Sequence, residues 1–338
     1  MTLRVGMIGA GWIGRFHAET LAQRLPDTEL VAIADPIPPA AEILSSRLNV
    51  RRTYLDPAEL ISDPAVQAVA ICAPATSHAD LVVAAAEAGK HVFCEKPMAL
   101  TIADADRAIA AAHDAGVILQ VGFNRRFDAG FAAAERAIRA GEIGTPQLLR
   151  SLTRDPGMSV DTAARVKPWT IFNETLIHDF DALRFLNPDA RVVEVFAQAD
   201  ALIHPQYKDR GLLDTAMVQL RFDNGAFAVA EASFSATYGY DIRGEVFGSD
   251  GMVTAGELMQ TSMRRYGAGG LCIETPRLNI ELFHDAYVAQ FAHFADCILA
   301  GRPPAVNGAD AKAALEIALA ARESVETGAP VRLAAVAA

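Results

Sequence analysis

Two patterns of hydrophobic and polar positions divide the chain. Through the first third, short unbroken apolar runs at 3–8, 30–34, 66–73, 91–94 and 117–121 alternate with helical stretches near 12–25, 78–88 and 101–115. Strands that are apolar on both faces, with helices between them, predict a parallel sheet covered on both sides. That is an α/β, doubly wound domain over residues 1–122. Beyond it the runs lengthen: a helix near 127–140, a strand near 146–154 and a helix near 174–186 lead to strands at 191–200, 213–222, 226–236 and 239–247. Asp223-Asn224-Gly225, between two of these strands, has the turn chemistry of a hairpin. The pattern predicts a second, α+β domain over 123–338 with a largely antiparallel open sheet. Its covering helices are the two just named and a C-terminal pair near 284–300 and 309–327; the last eight residues are expected to fray. A sheet covered on one side leaves an apolar face, which predicts a homo-oligomer, a dimer or tetramer formed through that face.

Composition narrows the function classes. With 51% hydrophobic and 21% charged residues among 338, the chain has enough apolar material for two cores. Its 41 acidic and 30 basic residues give a net charge of −11, and no basic block stands out, so neither nucleic acid nor an anionic membrane surface is an expected partner. No apolar run reaches the roughly 18 residues of a membrane span, and the N-terminus enters a strand without a cleavage site, so a cytoplasmic protein is expected. Cys72, Cys94, Cys272 and Cys297 lack zinc-site spacing and read as reduced core fillers.

The chemistry begins at Gly9-Ala10-Gly11-Trp12-Ile13-Gly14, which follows the first strand and opens a helix. Gly9 allows a tight turn, Gly11 lets phosphates approach the main chain, and Gly14 lets the helix pack close to the strand. Backbone N–H groups at such a helix start receive a pyrophosphate. Asp35 ends the second strand, where a carboxylate accepts from ribose hydroxyls and repels a 2′-phosphate, which favours NAD over NADP. Capping of the next helix is the other use for Asp35. Ala73, Pro74, Thr76 and His78 lie at the carboxyl end of a later strand and are candidate cofactor contacts; an N-cap role for Thr76 or Ser77 is the alternative.

Glu95-Lys96-Pro97 stands where the next strand stops, and Lys96 is the first candidate for chemistry. The proline holds the residue before it extended, and the Lys96–Pro97 bond is a candidate cis peptide. A surface salt bridge is the competing use of Glu95 and Lys96. Farther on, at about 100° per residue, Glu174, His178 and Asp181 fall within a sector of about 60°, opposite Leu176, Phe180 and Leu183. That face suits acid/base chemistry, although a solvated helix face has the same pattern. A metal held by Glu174 and His178 lacks a third ligand, so none is expected, and no GxSxG elbow occurs.

With these motifs in this order, the chain resembles the glucose-fructose oxidoreductase / inositol dehydrogenase / rhizopine catabolism (Gfo/Idh/MocA) family over nearly its whole length. Within that family it is most similar to the bacterial inositol 2-dehydrogenases, through Val121 to Asp128, Thr175 to Asp181 and Tyr238-Gly239-Tyr240-Asp241. The resemblance implies an N-terminal Rossmann domain, a substrate-binding and oligomerisation domain, and NAD as cofactor. It implies reversible oxidation of a hydroxyl on an inositol or related cyclic sugar or polyol, with hydride passing to nicotinamide C4. In that scheme His178 is the general base, Lys96 stabilises the alkoxide, and Glu174 completes the catalytic set. Cofactor contacts extend to Glu95, Lys96 and Asn124, and the implied substrate contacts are Lys96, Asn124, Arg125, Thr153, Asp155, Glu174, His178, Tyr238 and Tyr287. Two departures fall on the substrate side. Glu174 replaces an aspartate, and Thr153-Arg154-Asp155-Pro156 replaces His-Arg-Asn-Pro. The unpatterned stretch 156–172 is either a lid or a plain loop. Two alternatives stay open: a non-catalytic dinucleotide-binding regulator, and a sugar–sugar oxidoreductase with tightly held cofactor.

Overall fold

The structure is a computed structural model and describes residues 2–334. In the first third, β1 (Leu3–Ile8), β2 (Thr28–Ala34), β3 (Arg52–Tyr54), β4 (Ala68–Ile71), β5 (His91–Cys94) and β6 (Leu119–Val121) pair in parallel in the order β3-β2-β1-β4-β5-β6. The intervening helices are α1 (Trp12–Glu19), α2 (Pro38–Leu48), α3 (Pro57–Ser62), α4 (His78–Glu87) and α5 (Ile102–Asp114). Every residue of β4 and β6 is buried, and only Arg4 of β1 is partly exposed, as two-sided cover requires. The connections run outward from β1 through β2 to β3 and then return to β4, so strand order reverses between β1 and β4. In open α/β sheets that switch point, at the carboxyl edge, is where ligands bind.

The second sheet contains β7 (Pro146–Arg154), β8 (Val192–Asp200), β9 (Thr215–Phe222), β10 (Phe227–Ser233), β11 (Asp241–Gly248), β12 (Met252–Ala255) and, from the chain end, Val331–Arg332. All neighbouring pairs are antiparallel except β7 with β10. Gly225, at φ +90°, closes the expected hairpin between β9 and β10. β9 and β11 alternate buried and exposed positions, the signature of a sheet with one covered face. The remaining helices are α6 (Ala129–Arg139), α7 (Val160–Ala163), α8 (Ile177–Phe185), α9 (Asn279–Leu282), α10 (His284–Ala300) and α11 (Gly308–Thr327). Of these, α8 packs on β7 and β10, and α6 on β12. The other face carries Met252, Phe247, Leu148 and Phe227 side by side on four strands, each between 46% and 56% exposed. A small hairpin, β13 (Arg264–Gly267) with β14 (Gly270–Ile273), stands apart.

The structure departs from expectation in several places. The chain divides into two compact units, one running to Asn124 and including Asp285–Leu315, the other Arg125–His284 with the described residues from Glu316 onward. The expected single cut at 122/123 therefore misses a return: α10 does not cover the second sheet but belongs to the first unit. Its Phe291, Phe294 and Ala295 enter the core around Met7, Ile33 and Phe93, with the Phe93 and Phe291 rings 4.1 Å apart. An apolar helix face looks the same in sequence whichever core it enters. β3, α2 and α3 were not anticipated. β3 is short and mostly exposed, and α2 and α3 open on prolines, which read as breaks although proline suits the first helical turn. The helix expected over 12–25 turns π-helical at Thr20–Arg24, where the Thr20 hydroxyl donates to the Phe16 carbonyl at 3.1 Å. Cys72, Cys94 and Cys297 are buried thiols, but Cys272 is exposed on β14 and fills no core. Of the residues expected to fray, Val331 and Arg332 pair with β8, and 335–338 lie outside the described residues. Among the described residues no helix is long and apolar enough to cross a membrane.

Phe291→Ala is expected to remove about 3–5 kcal/mol, as for other buried aromatic truncations. Hydrogen exchange should accelerate in β1, β4 and β5 and stay unchanged in β8, β9 and β10. Acceleration confined to the second sheet would return α10 to that unit.

Candidate active site

The glycine loop has the geometry its spacing implies. Gly9 adopts φ +100°, and a Cβ there would stand 2.5 Å from the Cys72 carbonyl oxygen. At Gly14 a Cβ would meet the Gly9 carbonyl oxygen at 2.1 Å, so only glycine lets α1 lie this close to the turn. A Cβ at Gly11 would meet nothing within 4 Å. Gly11 is also the N-cap of α1 and offers no side chain to the first-turn N–H groups, which leaves them to an outside acceptor. Trp12, 54% exposed, and half-buried Ile13 flank this opening. The Asp35 carboxylate accepts from Ala10 N–H at 2.7 Å and from Ile37 N–H at 2.9 Å. It does not cap α2, whose N-cap is Ile37 without a side-chain bond. Asp35 is thus anchored beside the glycine loop with lone pairs left over for ribose hydroxyls. A dinucleotide fits this combination of crowded Gly9 and Gly14, open Gly11 and fixed acid.

Because β1, β4, β5 and β6 are parallel neighbours, the segments that follow them leave one sheet edge together. After β4, Pro74 and Thr76 are exposed and Ala73 is half-buried. Ser77 is the N-cap of α4, but no side chain makes a cap bond there. His78 is turned inward, 2% exposed, with Nδ1 2.8 Å from the Pro97 carbonyl and Nε2 2.7 Å from the Ala73 carbonyl. It ties the two loops together instead of facing outward as a cofactor contact.

After β5, Lys96 is half-buried and its bond to Pro97 is cis. Glu95 is 6% exposed, neither the surface salt bridge nor the outward cofactor contact that the sequence allows. Its Oε1 accepts from His17 Nε2 at 2.7 Å and its Oε2 from the Lys96 N–H at 3.1 Å. Burial pushes this carboxyl up, but the hydrogen bond and field of His17 and the Lys96 charge outweigh it and hold Glu95 below the usual carboxylate range. A Cβ at Gly122 would fall 2.9 Å from Glu95 Oε2, so glycine makes room for the acid. Burial, then the neighbouring Glu95 charge, pushes the Cys72 and Cys94 thiols well up, which keeps them inert. After β6, Asn124 is 2% exposed and its Nδ2 has no hydrogen-bond partner, a buried donor that suits a ligand acceptor.

In the second unit the straight-helix picture of Glu174, His178 and Asp181 fails. Ile171–Leu176 is π-helical, so the 100° step does not hold before Ile177. Glu174 is exposed and His178 half-buried, whereas Asp181 is 1% exposed and takes Arg126 through both oxygens at 2.9 and 2.6 Å. Asp179, 0% exposed, binds Arg125 at 2.7 Å and the hydroxyls of Ser151 and Thr153 at 2.6 Å each. Two consecutive arginines thus neutralise the two acids that follow His178, and this lets α8 be buried where a solvated face was expected. Arg125 and Thr153, expected at substrate, are occupied in this cluster. Among the described residues no group of three or more His, Cys, Asp or Glu side chains, Glu174 and His178 included, could hold a metal ion.

Asp155 is half-buried. Tyr238 is 43% exposed and donates to Asp241 at 2.7 Å. Burial, with the Asp155 charge beside it, pushes the Tyr240 phenol well up, so Tyr240 is the tyrosine near Asp155 that the sequence reading missed. The Tyr-Gly-Tyr-Asp motif contained both, but Gly239 at φ +125° breaks any alternation that would separate them. Asn173, passed over beside Glu174, has a buried Oδ1 without a partner. Tyr287, in the first unit, is 6% exposed with its ring edge-on to Phe16 and His17, both at 5.5 Å. The stretch 156–172 includes α7, capped by Ser159, and Trp169 at φ +65°.

Comparison with known proteins agrees with this geometry. Residues 3–123 match the model of the oxidoreductase family with an NAD-binding Rossmann fold, and 131–254 match the GFO/IDH/MocA C-terminal domain. The chain is 41% identical to the myo-inositol 2-dehydrogenase of Thermotoga maritima over 98% of both chains. It is 36% identical to the scyllo-inositol 2-dehydrogenase (NAD(+)) of Bacillus subtilis, over 98% of this chain and 96% of that one. The crystal structure of scyllo-inositol dehydrogenase from Lactobacillus casei with bound NAD(H) and scyllo-inositol superposes with a TM-score of 0.94 at 25% identity, covering 98% of this chain and 99% of the other.

Asp35→Ala is expected to weaken NADH binding by about tenfold or more, the loss of one or two charge-assisted hydrogen bonds, and to raise NADPH affinity. Fluorescence titration with both nucleotides checks this. Unchanged NADH affinity would leave Asp35 a backbone anchor alone.

Proposed function

The chain belongs to the GFO/IDH/MocA oxidoreductase family and is an NAD-dependent oxidoreductase acting on CH–OH groups; on that premise we propose that it oxidises a secondary hydroxyl of an inositol or related cyclic polyol to the ketone. The observation that carries this reading is the full-length likeness to inositol 2-dehydrogenases in a chain whose glycine loop, Lys96 and Asn124 all follow strands at one sheet edge. The first-turn N–H groups of α1 would hold the cofactor's pyrophosphate and Asp35 its ribose hydroxyls. When bound, NAD supplies the hydride acceptor at nicotinamide C4.

His178 is the proposed general base and takes the proton of the reacting hydroxyl. Lys96 donates a hydrogen bond to that oxygen as negative charge grows on it. The carbinol hydrogen leaves with its electron pair and the carbon–oxygen double bond forms. Glu174 is the further acid/base group beside His178. Asn124, Asp155 and Tyr238 are the proposed polyol contacts, while Arg125 and Thr153 act on the site by anchoring α8 through Asp179. The extra methylene of Glu174 and the Thr153–Pro156 sequence bear on which hydroxyls are matched, since polar specificity depends on pairing each one. The proposed location is the cytoplasm, where thiols such as Cys94 stay reduced.

We also propose a second copy of the chain, in a dimer or tetramer, as the cover for the row of Met252, Phe247, Leu148 and Phe227. A contiguous apolar stripe of this kind, rimmed by charges such as Arg150 and Glu231, is the usual mark of a subunit interface.

Reduction of NAD at 340 nm over a panel of inositols and aldoses tests the activity, with turnover expected on an inositol. Silence across the panel despite tight NADH binding would sink the reading. Lys96→Ala and His178→Ala should each lower kcat by about 100-fold or more with NADH affinity retained. The double variant Leu148→Asp, Phe227→Asp should sediment as a smaller species than the parent protein; an unchanged mass would place the interface elsewhere.

A further inference from the structure

The interior of the first unit holds a titratable pair that the proposed reaction does not use. His17 is 0% exposed on α1, three residues beyond Gly14 and so on the same helix face. Its Nε2 meets Glu95 Oε1 at 2.7 Å, and its ring lies edge-on to Phe291 at 4.8 Å, Tyr287 at 5.5 Å, and Phe16 and Phe93 at 5.9 Å. A carboxylate among aromatic rings is costly to bury, and apolar side chains of similar volume often serve stability as well or better. The pair therefore calls for a reason other than stability.

The geometry supplies one. The second Glu95 oxygen receives the Lys96 N–H at 3.1 Å, and Gly122 closes the space beside it. On the far side of Lys96, the Pro97 carbonyl lies 2.8 Å from His78 Nδ1. The main chain at Lys96 is thus held before and after the residue, and His17 is the group that fixes the Glu95 end.

We propose that His17 is a positioning residue: acting through Glu95, its imidazole sets the main chain at Lys96 and hence the place of the Lys96 ammonium. The proposal rests on the reading of Lys96 as the group that stabilises the alkoxide. A misplacement of about 1 Å costs a reaction about 100-fold in rate, so loosening this link should appear in kcat before it appears in binding.

The test uses two substitutions and a readout that needs no cofactor. The chain has five lysines, Lys90, Lys96, Lys167, Lys208 and Lys312, so reductive ¹³C-methylation gives few enough signals for the Lys96 resonance to be assigned by its loss in Lys96→Ala. His17→Phe keeps a ring among the aromatics and removes the donor; His17→Gln keeps an N–H within reach of Glu95. The expected result for His17→Phe is a kcat lowered by about tenfold to 100-fold, with KM and NADH affinity changed by less than about threefold. The Lys96 methyl resonance should shift or broaden while the other four hold, and His17→Gln should recover much of the loss. An unmoved Lys96 resonance with parental kcat overturns the proposal. So does a fall in melting temperature, equal in both variants, with that resonance unmoved. If His17→Phe does not fold, Glu95→Gln takes its place, with a moved Lys96 resonance expected and an unmoved one decisive against. Failure of the underlying reading looks different: Lys96→Ala would then keep its kcat, while the resonance still reports whether His17 holds Lys96.

Discussion

The close approach of Gly14 to the Gly9 carbonyl is the contact on which the nucleotide half of the molecule depends. With no Cβ to hold them apart, α1 lies down against the turn that follows β1. Gly11 has open space beside it at the helix start, and His17, one turn beyond Gly14, reaches Glu95 at the end of β5. One missing methyl group thus has two consequences: α1 starts close against the turn after β1, and an imidazole reaches the acid that precedes Lys96.

In each unit a proposed catalytic residue adjoins charge placed inside. Beside Lys96 there is one buried acid, Glu95, held by His17; around His178 there are two, Asp179 and Asp181, held by Arg125 and Arg126. Interior ion pairs add little net stability over apolar packing, but they tolerate few alternative arrangements because an unpaired buried charge is so unfavourable. They are suited to fixing where a neighbouring side chain stands. The two arginines come from a single short turn, so the segment after β6 supplies both the orphan Asn124 donor and the clamps on α8.

Much of the fold was legible because burial writes itself into hydrophobic periodicity. The short unbroken runs of β1 and β5 and the longer runs that became β8 to β11 identified two sheets of different kinds, and Asp223-Asn224-Gly225 marked its hairpin. What failed were features without a periodic signature. β3 is too short and polar, the π-helical turns at Thr20–Arg24 and Ile171–Leu176 depend on local hydrogen bonding, and α10 bears an apolar face that does not name its core.

For the site, the division has the same physical basis. The sequence by itself singled out the residues that are recognised by backbone or chemical type: Gly9, Gly11 and Gly14, the acid at Asp35, and the proposed catalytic pair Lys96 and His178. Only the tertiary structure decided where Glu95, His78, Arg125, Thr153 and Asp181 point, and it turned each of them inward, toward partners between 19 and 78 residues away. A glycine's missing side chain acts at its own position and can be read there. A polar side chain is defined by whatever faces it, and that is settled only when distant segments pack.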